Sequence, residues 1–319
     1  YKTEAATEIL GFVLENTKDL ETLIQANTYL VEMKLAKAKP ADFIAIDTQL
    51  KTLLQQFEIN PFTLKLQLIQ AHFTAFSLKK PEEAKAIITK ALTLPLNDYQ
   101  IADAKMELAD IFLFEEKYNQ ALLYYSQIEL DVMAHEASLK AAKTSYFKTD
   151  FDWALKQFKE LKSANTQLIA NDALEYFLLI NDNTVADSTK TALKQFAKGD
   201  YLMYQKRNDE AITHFQKILQ QFKGQEIEAV TLLRLGKLYE TTGNYTQALQ
   251  QYQAIIAQHS DGIYIDEALF FAAELYVKYL NDPEKAKPLY EKMIFNHQDS
   301  IYFVEARKKF RQLRGDKNL

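Results

Sequence analysis

The residues that could act as general acids, general bases or metal ligands are dispersed along this chain. His259 and His297 form the one suggestive pair, but the segments around them, HSDGIYIDEA and HQDSIYFVEA, are copies of one segment 38 residues apart. Histidines one repeat apart would not share a metal ion. The others lie outside any H-E-x-x-H motif and beyond metal-ligand spacing of another histidine: His72, His135 and His214. We therefore predict neither a metal site nor a catalytic histidine.

Motifs for nucleophilic catalysis and for nucleotide binding are also missing from the sequence. It contains no cysteine, no G-x-S-x-G elbow, no P-loop and no G-x-G-x-x-G fingerprint. Neighbouring carboxylates, such as Glu82 with Glu83 and Asp150 with Asp152, fall where turns are expected, and helix capping and solubility account for them. The sequence predicts no catalytic residue, no cofactor and no enzymatic activity.

The charge of the chain restricts the classes of partner. The formal net charge is -5 over 319 residues, and nucleic-acid binding needs a basic surface, so we predict no nucleic-acid partner. No run of about 18 apolar residues occurs, and we predict no insertion of this chain into a membrane. The basic residues near the C-terminus are expected to form the solvated face of a closing helix: Arg307, Lys308, Lys309, Arg311 and Arg314.

Composition and periodicity together predict an all-α protein built from repeats. Only 7 glycines and 6 prolines occur, which favours helices throughout. Pairs of small residues twelve positions apart recur, with a thirteen-residue spacing in the last pair: Ala109 and Ala121, Ala142 and Ala154, Gly199 and Ala211, Gly236 and Ala248, and Ala273 and Ala286. A large residue follows each second member by four positions: Tyr125, Phe158, Phe215, Tyr252 and Tyr290.

This spacing predicts antiparallel helix hairpins in close contact. If two helices approach closely, one residue on each facing stripe must be small, and the large residue one turn later fills the adjacent space. The second small residues follow one another at 37 or 38 residues in the later part of the chain. Between Ala121 and Ala154 the step is 33, and between Ala154 and Ala211 it is 57. The longer step predicts an extra helix.

The repeats resemble tetratricopeptide repeats. The residues that match this pattern in the clearest repeat are Leu232, Leu235, Gly236, Tyr239, Ala248 and Tyr252. The resemblance implies an all-α, right-handed superhelical solenoid of antiparallel helix hairpins. We predict degenerate helical repeats at 1–60, hairpins at 61–165, an extra helix that interrupts the array at 166–186, hairpins at 187–296 and a capping helix at 297–319.

The resemblance also implies a concave groove lined by the first helix of each hairpin. The residues that it places there are Met106, Asp110, Phe114, Lys143, Tyr146, Phe147, Asp200, Tyr204, Lys237, Phe270 and Glu274. The alternative is that the large apolar members of this set pack between hairpins instead of binding a ligand. The asparagine of the carboxylate clamp that grips chaperone tails in this family is not matched at these positions.

The implied function is a non-catalytic scaffold that binds a peptide or a partner protein in this groove. The alternative is a structural module of a larger protein that associates with itself. The combination of SDGIYIDEALFFAAELY with a closing FRQLRGD is also similar to large bacterial proteins of this family that assist envelope assembly or secretion. This similarity suggests the periplasm or cell envelope, with the cytoplasm as the alternative. Because the sequence begins at Tyr1 and not at methionine, we expect it to be part of a longer product.

Overall fold

The computed structural model describes residues 2–163, 167–184 and 189–316. Every regular element in these ranges is helical, and the predicted all-α fold of helix hairpins is confirmed. The domain boundaries predicted at 165/166 and 186/187 lie outside the described residues. The chain divides into two compact units, residues 1–176 and 177–319, and this division falls within one helix.

The first unit is a succession of helices joined by short turns. Two 3₁₀ turns precede α3 and α4, and α4 continues into a π-helical segment at Phe73–Ser77. The helices are α1 (Lys2–Asn16), α2 (Leu20–Leu35), α3 (Phe43–Gln56), α4 (Leu64–His72), α5 (Pro81–Ala91), α6 (Asp98–Phe114), α7 (Tyr118–Tyr125), α8 (Asp131–Phe147), α9 (Phe151–Leu161) and α10 (Gln167–Asp182), of which α10 contains the division between the units.

The second unit repeats the same plan with longer second helices. Its helices are α11 (Thr191–Tyr204), α12 (Asn208–Gln221), α13 (Ile227–Thr241), α14 (Tyr245–Gln258), α15 (Ile265–Lys278), α16 (Pro283–Asn296) and α17 (Phe303–Arg314). The last helix packs against α16 and exposes Arg307, Lys308 and Arg314.

Six hairpins carry the small-residue pattern or its weaker form. We call their first helices the A helices (α4, α6, α8, α11, α13 and α15) and their second helices the B helices (α5, α7, α9, α12, α14 and α16). In each of the six turns one residue adopts a left-handed conformation, with φ between 55° and 77°. These residues are Lys79, Glu116, Thr149, Lys206, Gly243 and Asn281, and only one of them is glycine.

The turn conformation ends each A helix in the same way. The amide of the residue after the left-handed one donates back to a carbonyl in the last helical turn. Examples are Lys117 N to Phe112 O at 2.9 Å and Asn244 N to Tyr239 O at 2.8 Å. This closes the helix end and reverses the chain within about three residues, so the B helix returns antiparallel to the A helix.

The ten small residues of the twelve-residue pattern are all buried. At Gly199 and Gly236 the helices approach so closely that a β-carbon has no room. It would lie 2.5 Å from a ring carbon of Phe215 at Gly199, and 2.5 Å from one of Tyr252 at Gly236. The structure therefore brings the first small residue of a hairpin against the large residue four positions after the second one, as the spacing predicts.

The B helices differ in length, and this explains the short repeat step in the first unit. Helices α12, α14 and α16 each have 14 residues, whereas α7 has 8. Helix α7 ends at Tyr125, only four residues after Ala121. The missing turns account for the 33-residue step between Ala121 and Ala154.

Candidate functional site

The candidate site is the surface that the A helices form within each unit, and the most regular feature of this surface is charge. The residue that follows the first small residue of each well-matched hairpin is charged in every case: Asp110, Lys143, Asp200, Lys237 and Glu274. All five belong to the predicted groove set. The structure places each of them in contact with the helix that comes second after its own helix in the chain, within the same unit.

In the first unit these charges form ion pairs between neighbouring helices. The Asp110 carboxylate on α6 accepts a hydrogen bond from the Tyr125 hydroxyl at 2.5 Å and pairs with Lys140 of α8 at 2.5 Å. Lys143 of α8 pairs with Asp172 of α10 at 2.9 Å. These side chains therefore fix the spacing of adjacent helices as well as lining the surface.

The second unit repeats this arrangement. Asp200 of α11 pairs with Arg234 of α13 at 2.9 Å, and the Lys237 ammonium lies 5.3 Å from the Phe271 ring of α15. A third contact joins α15 to α17, with 3.4 Å between the Glu274 carboxylate and Lys309.

The partners of these charges were missed by the sequence reasoning, although a signal was present. Lys140, Arg234 and Phe271 each lie two positions before the small residue of their own A helix. Lys309 of α17 lies 38 residues after Phe271, which is the spacing of the duplicated segments, so it holds the equivalent position. In four of the five contacts the residue after one small position therefore meets the residue two positions before the next one, and Lys143 with Asp172 is the exception. Opposite charges at these two positions would have revealed three of the pairs.

The aromatic members of the predicted groove differ in exposure. Tyr146 is fully buried, with ring centroids 5.8 Å from Phe151 and 5.1 Å from Tyr176. Its ring packs against α9 and α10 and presents no surface to a ligand, which corrects its placement in the groove. The side chains of Phe147 and Tyr204 are half-buried.

Two further aromatic residues of the set are also half-buried and packed. Phe114 lies 4.7 Å from Phe76, and Phe270 stacks on Tyr302 at 4.7 Å between ring centroids. The aromatic positions therefore contribute as much to packing between repeats as to an accessible surface, because each ring also has to cover the apolar side of its neighbour.

The first unit contains a groove of 410 Å³ on its A-helix surface, lined mainly by α4, α6 and α8. Met106 and Asp110 are the two predicted groove residues that line it. Its apolar side chains come from Leu35, Leu68, Ile69, Met106 and Met133. Its charged and titratable side chains are Lys65, His72, Asp103, Glu107, Asp110, Glu136 and Lys140.

The titratable side chains of the groove are influenced by the residues around them. His72 stands where the weakest repeat would have a small residue. Its ring stacks on Phe76 at 4.3 Å, and its Nδ1 lies 2.9 Å from Glu107. Partial removal from water disfavours the charged form of Asp103 and raises the pKa of its carboxyl group. The positive charge of Lys65 acts in the opposite direction but does not outweigh this effect. Burial opposes the charge of Lys140, but the Asp110 carboxylate outweighs it and raises the lysine pKa.

The second unit contains two tyrosine–carboxylate pairs with opposite pKa shifts. The Tyr252 hydroxyl donates to Glu240, and the Tyr290 hydroxyl donates to Glu274. Burial raises the pKa of the Glu240 carboxyl group despite the hydrogen bond from Tyr252. Burial acts in the same direction on Glu274, but hydrogen bonds from Lys278 and Tyr290 outweigh it and lower that pKa. The direct hydrogen bond from Lys278 to Glu274, which Glu240 lacks, explains why the two carboxyl groups shift in opposite directions.

The raised pKa of Glu240 predicts that Glu240→Gln stabilises the protein at neutral pH. A raised folded-state pKa means that the folded chain holds this proton more tightly than the unfolded chain. Stability therefore falls as pH rises from the ordinary value of 4.5 through the raised one. Glutamine still accepts from Tyr252 and carries no charge. In urea titrations we expect a gain of less than about 1 kcal/mol at pH 7 that disappears near pH 4. A gain independent of pH would contradict this explanation.

Two kinds of feature are absent from the residues that the structure describes. Among them, no group of three or more histidine, aspartate or glutamate side chains is arranged to hold a metal ion. None of their helices is long and apolar enough to cross a bilayer.

Comparison with known proteins agrees with the hairpin geometry. Residues 190–259, which contain α11 to α14, match the family profile described as tetratricopeptide repeat. This segment consists of tetratricopeptide repeats. Stacked repeats of this kind present extended surfaces for binding other proteins. The fold therefore supports a role as a protein-interaction scaffold.

The chain is also similar to individual proteins. A probable vesicular-fusion protein sec17 homolog of Schizosaccharomyces pombe is 28% identical over 147 residues, which cover 40% of this chain and 50% of that protein. The match thus spans half the length of this relative. A tetratricopeptide repeat protein from Parabacteroides merdae is 12% identical, with 91% of this chain and 98% of the other covered and a TM-score of 0.36. The apo form of the quorum sensor NprR from B. thuringiensis is 15% identical, with coverage of 93% and 81% and a TM-score of 0.37.

Proposed function

We propose that this chain is a non-catalytic scaffold whose A-helix surface binds a peptide segment of a partner protein. The observation that carries the proposal is the 410 Å³ groove of the first unit, which combines an apolar floor with charged side chains along its edges. A groove of this size accommodates a few side chains of a peptide but not a folded domain. The proposed site includes Met106 and Asp110 of the sequence-based set.

Two kinds of contact support peptide binding there. Leu68, Ile69 and Met133 offer apolar surface, and methionine adapts its shape to different side chains. Asp103 and Glu136 are exposed at the edge of the groove and carry charge that can orient a ligand. The ion pairs between A helices hold this surface in place before a ligand arrives, which limits the ordering that binding requires.

Charge reversal at the edge of the groove tests the proposal. We expect the Asp103→Lys, Glu136→Lys double variant to lose about tenfold or more in affinity for its partner, because contacts with either charge become repulsive. Both side chains are exposed, so the variant is expected to keep its helical circular dichroism and its melting temperature. The measurement is crosslinked capture from native cells with quantitative mass spectrometry, followed by titration of the captured protein.

The matched control is Glu8→Lys, Glu15→Lys on α1, which changes the net charge by the same amount at exposed positions away from the groove. Its captured proteins should equal those of the wild type. If the groove variant and the α1 variant retain the same partners, the groove is not the binding site.

A second candidate function is self-association, and one observation favours it. Phe295, Ile301 and Val304 are exposed apolar side chains at the C-terminal end of the second unit. When α17 is aligned with α15 by the 38-residue spacing of the duplicated segments, Arg311 takes the place of the small Ala273. A B helix of the same kind has no room to pack against an arginine at this position. Light scattering over a hundredfold range of concentration separates the two functions: a constant monomer mass supports the scaffold, and a growing mass supports self-association.

A further inference from the structure

The short helix α7 leaves a cleft on the side of the first unit where the B helices lie. Helices α12, α14 and α16 run ten residues past their small residue, whereas α7 stops four residues past Ala121. The space that the last B-helix turns would take beside α8 and α9 is a cavity of 640 Å³. It lies among the described residues of α7, α8 and α9.

The floor of the cleft differs from the same surface in the other hairpins. Four positions before the small residue, α13 carries Leu232 and α15 carries Leu269, and both are buried. At that position α8 carries Ser138, which is exposed. Likewise, Leu235 and Ala272 are buried one position before the small residue, whereas the equivalent Ala141 is only half-buried. The floor of the cleft is thus uncovered, and its side chains are small and partly polar.

Gln157, which lines the wall of the cleft, carries an unsatisfied hydrogen-bond acceptor. The Oε1 atom of Gln157 on α9 is buried and has no hydrogen-bond partner. A buried polar atom without a partner lowers the stability of the fold, so a ligand that supplies a donor relieves this cost. Trp153, the single tryptophan of the chain, lines the same wall and is 53% exposed.

We propose that this cleft binds a helical segment of a partner protein. The segment supplies the turns that α7 lacks and donates a hydrogen bond to Gln157 Oε1, whose amide group turns toward the cleft on binding. The occupant is inferred from the chain itself, because a helix covers the equivalent surface of α13 and α15 in the other hairpins. Ala137 and Ala141 lie four residues apart on α8, so they form a small-residue stripe that allows a helix to approach closely.

The edge of the cleft specifies the ligand further. Lys156 and Glu160 lie four residues apart on α9 and line the cavity with opposite charges. A helix with an apolar stripe flanked by polar residues satisfies both the floor and this edge. The last two turns of α14 have this character, with Ile255 fully buried and glutamines beside it. This site is separate from the A-helix groove, and neither proposal depends on the other.

The test uses a helical peptide based on residues 248–258, ALQQYQAIIAQ, and the fluorescence of the intact chain. Gln253→Lys and Ala257→Asp in the peptide, at two positions that are exposed on α14, supply the side chains of a lactam bridge. Since Trp153 is the single tryptophan and lines the cleft, its emission reports binding at this place. We expect a saturable blue shift on titration of the wild-type chain, because the helix excludes water from the indole ring. A peptide with serine in place of both isoleucines is the matched ligand control and should give no saturable shift.

Two variants of the chain distinguish binding in the cleft from other causes. Ser138→Leu restores the residue that α13 has at this position and should abolish the shift by filling the floor. Gln157→Met removes the acceptor at similar size and should weaken half-saturation about fivefold without lowering the melting temperature, since the unsatisfied atom is gone. The Asp103→Lys, Glu136→Lys groove variant should bind the peptide as the wild type does.

Three results would overturn the proposal: no saturable shift in the wild-type chain, equal binding by Ser138→Leu, or unchanged affinity in Gln157→Met. None of them bears on the A-helix groove, whose test uses other variants and another readout.

Discussion

Gly236→Ala is expected to destabilise the protein by about 2 kcal/mol although it adds a single methyl group to a helix. In the middle of a helix alanine is favoured over glycine by about 0.8–1 kcal/mol. Here, however, the new β-carbon would lie 2.5 Å from Cε1 of Tyr252, closer than carbon atoms approach one another in proteins. The tyrosine ring is fully buried and has no free volume to enter, so the two helices must separate.

The control for this prediction is Gly11→Ala on α1. A β-carbon at Gly11 meets no atom within 4 Å, so only the helical preference of alanine remains and stability should rise by up to about 1 kcal/mol. Urea titrations of both variants under the same conditions give the difference. If the two substitutions have the same sign, close packing at Gly236 does not hold the hairpin together.

Glu274→Leu is expected to destabilise the second unit by about 3 kcal/mol. Glu274 is buried on α15, accepts a hydrogen bond from Tyr290, and pairs with Lys278 at 2.5 Å and with Lys309 at 3.4 Å. Leucine would leave the Tyr290 hydroxyl without an acceptor and the lysines without their carboxylate. Breaking a buried network in this way is more harmful than the loss of an exposed pair.

The matched control is Glu284→Leu on α16, which removes an exposed pair with Lys287 at 2.7 Å. Exposed pairs three or four residues apart contribute only about 0.3–0.5 kcal/mol, so the melting temperature should change little. The lowered pKa of Glu274 adds a test by pH, because its contribution is present at neutral pH and declines as pH falls through the folded-state pKa. The difference between wild type and Glu274→Leu should therefore shrink below pH 4. A difference equal at pH 7 and pH 3 would contradict the role of the charged form.

The repeat pattern could be read from the sequence because its cause is local and recurrent. Small residues twelve apart and a large residue four later are separated by fixed numbers of residues within one hairpin. Gly199 with Phe215 and Gly236 with Tyr252 are close in the chain as well as in space. The 57-residue step likewise predicted additional helix before Thr191, and α10 lies in that interval.

The candidate binding surface was harder to predict, because exposure depends on what the next helix covers. Tyr146 occupies a groove position by its register, yet Tyr176 of α10 and Phe151 pack against it. Asp110 and Glu274 have the charge expected for ligand contact, yet each pairs with a lysine about 30 residues later in the chain. Such pairs form between stacked hairpins. The spacing of residues within one hairpin therefore does not predict them.

The sequence by itself determined the all-α class, the antiparallel hairpins and the buried small residues, because these follow from helical periodicity and from the size of side chains a few residues apart. Only the tertiary structure decided which A-helix residues form the 410 Å³ groove, and that the short α7 opens a cleft beside Gln157 and Trp153. A missing turn is visible in the sequence only as a 33-residue step. Whether such a step closes the stack or opens it depends on how the neighbouring helices pack, and that packing exists only in the folded chain.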